Sequence, residues 1–125
     1  MINCLMVGLG GFIGAVLRYL LGLIPLPGKT GFPFMTLLIN LVGSFAIGFT
    51  AAAADRQNAV NEKLVLFLKV GVCGGFTTFS TFALESANLF SAGRGLWAAL
   101  YIALSVLLCL CGALCGRLLF QKVAR

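Results

Sequence analysis

The segment GGFTTFSTF, residues 74–82, places polar groups inside a strongly hydrophobic stretch of the chain. Its glycines weaken a helix, and backbone carbonyl groups freed by a helix break are suitable ligands for a hard cation. Its hydroxyl groups can both donate and accept hydrogen bonds, and they belong to Thr77, Thr78, Ser80 and Thr81. The segment therefore combines possible cation ligands with hydroxyl groups, and it carries no charge.

Phe79 and Phe82 of the same segment are three residues apart, so on a helix their rings occupy neighbouring parts of one face. The edge of an aromatic ring carries partial positive charge, and edges turned toward a pathway can attract an anion without holding it permanently. Packing against lipid or other helices is the commoner role of such a pair. The glycines and hydroxyl groups beside it strengthen the pathway interpretation, but the residue types do not identify the ion.

Other polar side chains lie on the second and fourth hydrophobic stretches. Asn40 is midway along its stretch, where an amide costs free energy unless it finds partners. It shares a helical face with Thr36 and Gly43. It can link two helices or donate to a polar substrate, and both interpretations are open. Tyr101 and Ser105 form a second polar stripe, for which we expect a hydrogen-bonded tyrosine and a serine satisfied by its own helix.

Charged residues within the hydrophobic stretches are few. We expect Arg18 and Lys69 to extend toward the membrane interface, with attraction of anions toward an opening as the alternative for Arg18. Glu85 is the only acid inside a predicted span. It suits either a proton-coupled carrier, which needs a membrane carboxylate, or a water-filled vestibule.

The composition assigns the chain to the integral membrane proteins. It is 61% hydrophobic and 10% charged over 125 residues, whereas soluble domains are about 45–50% apolar and roughly 25% charged. At about 20 residues per crossing, we predict one all-α domain, residues 1–125, of four transmembrane helices. The predicted spans are residues 6–24, 34–54, 64–90 and 95–120. Short linkers make sequential helices antiparallel neighbours.

The third predicted span is long enough to need a break. About 27 residues form a continuous helix of about 40 Å, whereas the hydrocarbon core is about 30 Å thick. We therefore predict a break around residues 74–78. Glycines four residues apart allow helix backbones to approach closely in lipid, and three such pairs occur: Gly10/Gly14, Gly71/Gly75 and Gly112/Gly116.

The net charge of +6, from nine basic and three acidic residues, is explained better by membrane topology than by nucleic acid binding. The basic residues near span ends are divided between two sides: Arg56, Lys63, Arg117, Lys122 and Arg125 against Arg18, Lys29 and Arg94. So small a bias permits insertion in both orientations. Because four helices scarcely enclose a pathway, we also predict an oligomer, most simply a homodimer.

The cysteines form an odd-numbered set within apolar stretches, which argues against a disulfide framework: Cys4, Cys73, Cys109, Cys111 and Cys115. The last three could bind a metal, but the chain has no histidine and a Cys-x-Cys pair on a helix points its side chains apart. We expect the cysteines to be small, buried packing residues.

Three pieces of the chain, in this order, resemble the Fluc/CrcB family of small fluoride channels: GGFIGAVLRY (10–19), INLVGSFAIG (39–48) and GGFTTFSTF (74–82). The resemblance covers essentially the whole chain. It implies a dual-topology homodimer of antiparallel subunits with two fluoride pathways. It also implies passive fluoride efflux, without catalysis, across the bacterial cytoplasmic (inner) membrane.

The resemblance implies roles for individual residues as well. Asn40 is similar to the family's pore asparagine, and Phe79 and Phe82 to the pair whose ring edges face fluoride. The family's polar track is expected at Thr36, Ser80, Thr81, Tyr101 and Ser105. The backbone carbonyls of Gly74 and Thr77 resemble those that hold a central, structural sodium ion. Two vestibule residues are matched by Arg18 and Glu85.

Two other functions are compatible with a chain of this size. Small proton-coupled multidrug exporters also have four helices and antiparallel dimers, but they need a glutamate in the first span, and residues 6–24 contain no acid. A non-transporting assembly protein would explain the paired glycines. It would not explain polar residues on three different spans.

Overall fold

The computed structural model describes residues 1–25, 31–56 and 61–124 of the chain. Within these ranges, four helical segments are long and apolar enough to cross a membrane: Ile2–Gly22, Phe34–Ala54, Glu62–Ser91 and Gly95–Val123. The predicted all-α fold with four transmembrane spans is therefore confirmed. The first segment, α1 (Ile2–Gly22), begins before the predicted residue 6, and the last continues beyond the predicted residue 120. The second is α2 (Phe34–Ala54).

The third span is divided into several helical pieces. These are α3 (Glu62–Val65), a π-helical segment (Leu66–Cys73), α4 (Gly74–Phe76) and α5 (Phe79–Ser91). Two extended residues interrupt the span: Thr77, with φ −80° and ψ 158°, and Thr78, with φ −148° and ψ 111°. The break thus lies at the C-terminal end of the predicted 74–78 stretch. The sequence pattern does not predict the π-helical segment, a rare form that often occurs at functional sites.

The glycines of α1 and of the third span lie against each other. A Cβ atom at Gly71 would lie 2.8 Å from the Gly10 Cα atom, and one at Gly10 would lie 2.9 Å from the Gly71 Cα atom. Gly14 and Gly75 are packed as closely against the opposite backbone. The predicted pairs Gly10/Gly14 and Gly71/Gly75 therefore form a single helix contact. Gly75 belongs to this contact and lies inside α4, so it is not part of the break.

The other close pair of helices is α2 with α6 (Gly95–Val123). Gly112 and Gly116 lie against the α2 backbone around Phe45, and Gly48 of α2 lies against the backbone of Ala113. Without side chains at these positions, the two backbones can approach closely, which is how helices associate in lipid. The third predicted glycine pair therefore joins the second and fourth spans.

A tight turn at Gly93 joins α5 to α6. The Gly93 amide donates to the Phe90 carbonyl at 3.0 Å and the Arg94 amide to the Leu89 carbonyl at 2.9 Å, which is the Schellman arrangement. Gly93 has a φ of 73°, in the left-handed region that favours glycine. The turn brings α5 beside the first turns of α6, where Tyr101 is completely buried.

All five cysteines are free, and they differ in exposure. Cys73 is buried, as expected, and Cys109 is half-buried. Cys4, Cys111 and Cys115 are exposed. The prediction of buried packing residues is wrong for these three, because they lie on outward faces of α1 and α6.

The charged ends of the helices agree with alternating span directions. Arg117 near the end of α6 forms an ion pair of 3.1 Å with Asp55 at the end of α2, so these two helix ends lie on one side. Both side chains are more than half exposed, and such pairs contribute about 0–1 kcal/mol. Lys29 and Arg125, which contribute to the predicted charge bias, lie outside the described residues.

Gly14→Ala should weaken the contact between α1 and the third span. The added methyl group would overlap the Val72 carbonyl oxygen and lie 2.7 Å from the Phe76 amide nitrogen. We expect a loss of about 1–3 kcal/mol in the free energy of unfolding in detergent, the usual cost of overpacking. Gly8→Ala is the matched control, because no atom lies within 4 Å of its added methyl group. Equal unfolding free energies for the two variants would contradict the close contact.

Candidate functional site

Thr78 begins α5 as its N-cap. Its side-chain oxygen accepts a hydrogen bond from the Thr81 amide at 3.2 Å, and its hydroxyl donates to the Thr81 hydroxyl at 2.9 Å. A cap of this kind satisfies an amide that a helix start leaves free. The Thr78 hydroxyl therefore has a structural role, because it caps the helix that begins directly after the break. This role is independent of any contact with ions.

Asn40 of α2 forms hydrogen bonds with the backbone at the break. Its side-chain amide donates to the Thr78 carbonyl oxygen at 3.1 Å, and its side-chain carbonyl accepts from the Thr78 amide at 2.8 Å. Asn40 therefore links two helices, which is the first interpretation of this residue. It also lines a cleft, which the second interpretation requires. Thr36 and Gly43, on the same face of α2, also contact the third span.

The carbonyl groups of Gly74 and Thr77 are among those that lose their usual helical partners at the break. The Thr78 amide bonds to Asn40 instead of the Gly74 carbonyl. The Thr81 amide bonds to the Thr78 side chain instead of the Thr77 carbonyl. Neutral oxygen donors of this kind fit a hard cation. Within residues 1–25, 31–56 and 61–124, no cluster of three or more His, Cys, Asp or Glu side chains offers a metal site.

Arg18 lies beside the break. Its Nε donates to the Gly75 carbonyl oxygen at 3.2 Å, and the bond is partly buried. The contact is within reach because Gly14 and Gly75 bring α1 and α4 close together. The hydrogen bond places the charge of Arg18 next to the interrupted helix, a contact that the sequence did not predict.

Two clefts share Thr78 as part of their walls. The first, which we call the ring cleft, has a volume of about 480 Å³ and is lined by Asn40, Thr77, Phe79, Phe82 and Ser105 among the predicted site residues. The ring centres of Phe79 and Phe82 are 5.4 Å apart, with planes inclined by 46°. Phe79 is 78% exposed, so one wall of the ring cleft stands open in the single chain.

Ser105 contributes an unpaired hydroxyl group to the ring cleft. Its Oγ atom is buried and has no hydrogen-bond partner in the part of the chain that the structure describes. The expectation that its own helix satisfies this serine is wrong. Because buried polar atoms are normally paired, this hydroxyl is available to a polar occupant of the cleft.

The second cleft, which we call the arginine cleft, has a volume of about 450 Å³ and contains Arg18, Thr36, Thr81 and Glu85. The Glu85 carboxylate accepts hydrogen bonds from the Thr36 hydroxyl at 2.8 Å and the Tyr101 hydroxyl at 2.7 Å. The expected hydrogen-bonded tyrosine is thus confirmed. Helices α2 and α6 together fix this carboxylate, since each supplies one donor.

Three predicted site residues line neither cleft. Tyr101 is buried between helices, and Ser80 is exposed, with its hydroxyl 3.3 Å from that of Thr78. Gly74 is exposed on α4. In the single chain, the predicted residues therefore form two clefts that meet at the break, rather than one enclosed track.

The sequence reasoning missed two polar residues of the ring cleft, Ser44 and Cys109. Ser44 is four residues after Asn40, and Cys109 is four residues after Ser105. The same helical spacing that connects Thr36 to Asn40 could have identified both. The polar stripes on α2 and α6 therefore continue one turn farther than predicted.

The fold and the site define a class of protein: a small multi-pass membrane protein with polar groups and an interrupted helix suited to ions. Residues 5–117 match the family described as CrcB-like protein, Camphor Resistance (CrcB). The chain belongs to this family, and the family resemblance noted in the sequence is confirmed.

The chain is similar to curated relatives named fluoride-specific ion channel FluC. That of Ruminiclostridium cellulolyticum is 45% identical over 125 residues, covering 99% of this chain and 96% of the relative. That of Elusimicrobium minutum is 46% identical over 112 residues, covering 88% and 86%. That of Chlorobaculum tepidum is 49% identical over 102 residues, covering 81% and 80%.

Tyr101→Phe should lower the free energy of unfolding, because it removes one of the two described donors to the Glu85 carboxylate. We expect a loss of about 1.5–3 kcal/mol, the usual contribution of a hydrogen bond to a charged group. Tyr19→Phe is the control, since Tyr19 is 66% exposed. Unfolding of both variants should be measured in detergent. Wild-type stability of Tyr101→Phe would mean that this bond does not hold the carboxylate.

Proposed function

We propose that this protein is a fluoride-selective ion channel that gives passive fluoride efflux across the bacterial cytoplasmic (inner) membrane. The observation that carries this proposal is the similarity, over 99% of the chain, to a protein named fluoride-specific ion channel FluC. The break and its two polar clefts give the activity a physical basis. The protein catalyses no reaction, because conduction only moves an ion down its electrochemical gradient.

A fluoride pathway has to replace the water that the ion gives up. Fluoride is small and strongly hydrated, and even a carboxylate-sized ion faces an idealised cost on the order of 20 kcal/mol in a low-dielectric interior. The chain offers hydroxyl and amide donors for this purpose. The unpaired hydroxyl of Ser105 is the clearest of them in the ring cleft. Asn40 keeps one amide proton free beyond its bond to Thr78.

The pathway runs between the arginine cleft and the ring cleft. Arg18, beside Thr36, Thr81 and Glu85, supplies positive charge that attracts an anion to one mouth. Phe79 and Phe82 line the ring cleft, and in this proposal their ring edges attract the ion weakly enough to let it pass on. Selectivity against chloride follows from a narrow bore and donors spaced for the smaller ion. The remaining track residues of this proposal are Ser80 and Tyr101.

The conducting unit of this proposal is an antiparallel homodimer with two pathways, each built from both subunits. The exposure of Phe79, at 78%, supports a second chain over the ring cleft. Ser80 is exposed beside it. The small difference in basic residues between the two membrane sides supports insertion in both orientations.

A structural sodium ion at the centre of this dimer would be held by the backbone carbonyls of Gly74 and Thr77. The amides that would bond to these carbonyls in a continuous helix are engaged elsewhere. Two carbonyls from each of two subunits would supply four oxygens, and Gly74 is exposed on the surface of α4, where a partner can approach. When bound, the ion contributes positive charge and no redox chemistry.

Passive efflux follows from the acid–base chemistry of fluoride. The neutral acid crosses the membrane and ionises inside the cell, and the membrane potential drives the anion out through the channel. The proton-coupled exporter remains the less suitable alternative, because α1 lacks an acidic residue and Glu85 is held by two hydrogen bonds. A non-transporting assembly role leaves the unpaired Ser105 hydroxyl unexplained.

Liposomes that contain the purified protein should release fluoride rapidly when a potassium ionophore dissipates the opposing voltage. Chloride release should remain at the level of protein-free liposomes, because the pathway discriminates by ion size and hydration. Fluoride and chloride electrodes measure the two fluxes. Equal chloride flux, or a fluoride flux that requires a proton gradient, would contradict a fluoride-selective channel.

Phe79→Ile and Phe82→Ile keep hydrophobic bulk in the ring cleft but remove the ring edge. We expect each to reduce the initial fluoride efflux at least about tenfold, which corresponds to about 1.4 kcal/mol and lies within the range of aromatic electrostatic contacts. Phe12→Ile is the control, since Phe12 is 69% exposed on α1 and lines neither cleft. Full flux through both ring-cleft variants would exclude the ring-edge mechanism.

A further inference from the structure

The Asn40 side chain uses both ends of its amide on the backbone of a single residue, Thr78. It donates to the Thr78 carbonyl at 3.1 Å and accepts from the Thr78 amide at 2.8 Å. Both bonds are partly buried and join residues 38 positions apart in the chain. A residue that acted only as a donor to an ion would not need either contact. The geometry therefore gives Asn40 a second role within the protein.

The second role concerns the Gly74 carbonyl. In a continuous α-helix, the amide of residue 78 bonds to the carbonyl of residue 74. Here the Thr78 amide is turned to Asn40, so the Gly74 carbonyl does not receive that bond. If Asn40 lost its side-chain carbonyl, the Thr78 amide would need another acceptor at membrane depth. In a continuous helix, that acceptor is the Gly74 carbonyl.

Helix α2 also fixes the other half of the break. Gly43, three residues after Asn40, leaves space that the Thr77 methyl group and the Phe76 ring occupy. The Thr77 hydroxyl donates back to the Cys73 carbonyl at 3.0 Å, which holds the Thr77 side chain against the preceding turn. One face of α2 thus contacts both extended residues of the third span.

We propose that Asn40 is a positioning residue for the cation site: by binding Thr78, it keeps the third span broken and leaves the Gly74 and Thr77 carbonyls available to the ion. Asn40 would then couple the fluoride pathway to the sodium site, since one side chain forms the wall of the first and the support of the second. The identity of the ion rests on the proposed function. The positioning role of Asn40 itself rests on the hydrogen bonds between α2 and Thr78.

The test compares Asn40→Ala, Asn40→Asp and Ser44→Ala with the wild type. Asn40→Ala removes both contacts with Thr78, whereas Asn40→Asp keeps an acceptor for the Thr78 amide. Ser44→Ala is the matched control, because Ser44 lines the same ring cleft one turn farther along α2. For each purified protein in detergent, the thermal unfolding midpoint is measured as sodium replaces N-methylglucamine at constant ionic strength.

We expect sodium to raise the midpoint of the wild type, of Ser44→Ala and of Asn40→Asp. In Asn40→Ala, the sodium concentration for half of the effect should rise about tenfold or more, because two hydrogen bonds that support the site are lost. If Asn40→Ala does not fold, the sodium dependence of the Asn40→Asp midpoint still tests the proposal. Sodium dependence of the wild-type kind in Asn40→Ala, or its absence from folded Asn40→Asp, would overturn the proposal.

Fluoride efflux from liposomes, measured on the same proteins, separates this proposal from the proposed function. A wild type that conducts fluoride but gains no stability from sodium would refute the positioning role and leave the channel function intact. A wild type that is stabilised by sodium but conducts no fluoride would refute the channel function alone. Asn40→Asp should retain sodium stabilisation while losing fluoride flux, because its carboxylate repels the anion.

Discussion

The need to satisfy every backbone amide and carbonyl at membrane depth governs this structure. Lipid offers no hydrogen bonds, so a helix can break there only where other groups take over. At the break, Asn40 binds both backbone groups of Thr78, and Arg18 binds the Gly75 carbonyl. The Thr78 side chain caps the next helix. The amides of Thr78 and Thr81 are thus bonded to side chains and not to the Gly74 and Thr77 carbonyls.

These side-chain hydrogen bonds, which replace the lost helical ones, are possible because the helices approach each other closely. Asn40 has a short side chain, so α2 must lie directly against the third span, and Gly43 allows this by leaving room for Thr77. On the other side of α2, Gly48 brings the α6 backbone near. Small residues therefore do more than join helices: they determine which polar side chains can reach the break.

Much of the site could be predicted from residue type and spacing, and some of it could not. The break near residues 74–78 and the adjacent rings of Phe79 and Phe82 followed from span length and helical periodicity. The hydrogen bond between Arg18 and the Gly75 carbonyl could not be predicted, because an arginine near a helix end normally extends to the interface. The unpaired state of Ser105 also escaped prediction, since its environment comes from helices distant in sequence.

The sequence by itself determined the membrane class, the four spans and the segment that cannot continue as a helix, because these depend on local hydrophobicity and length. It also determined the family, through motifs distributed along the chain. Only the tertiary structure decided that the break falls at Thr77 and Thr78 and that Asn40 binds the backbone groups of Thr78 there. It also divided the polar residues between two clefts. The physical reason is that a hydrogen bond between residues 38 positions apart depends on helix packing, which no local pattern in the sequence specifies.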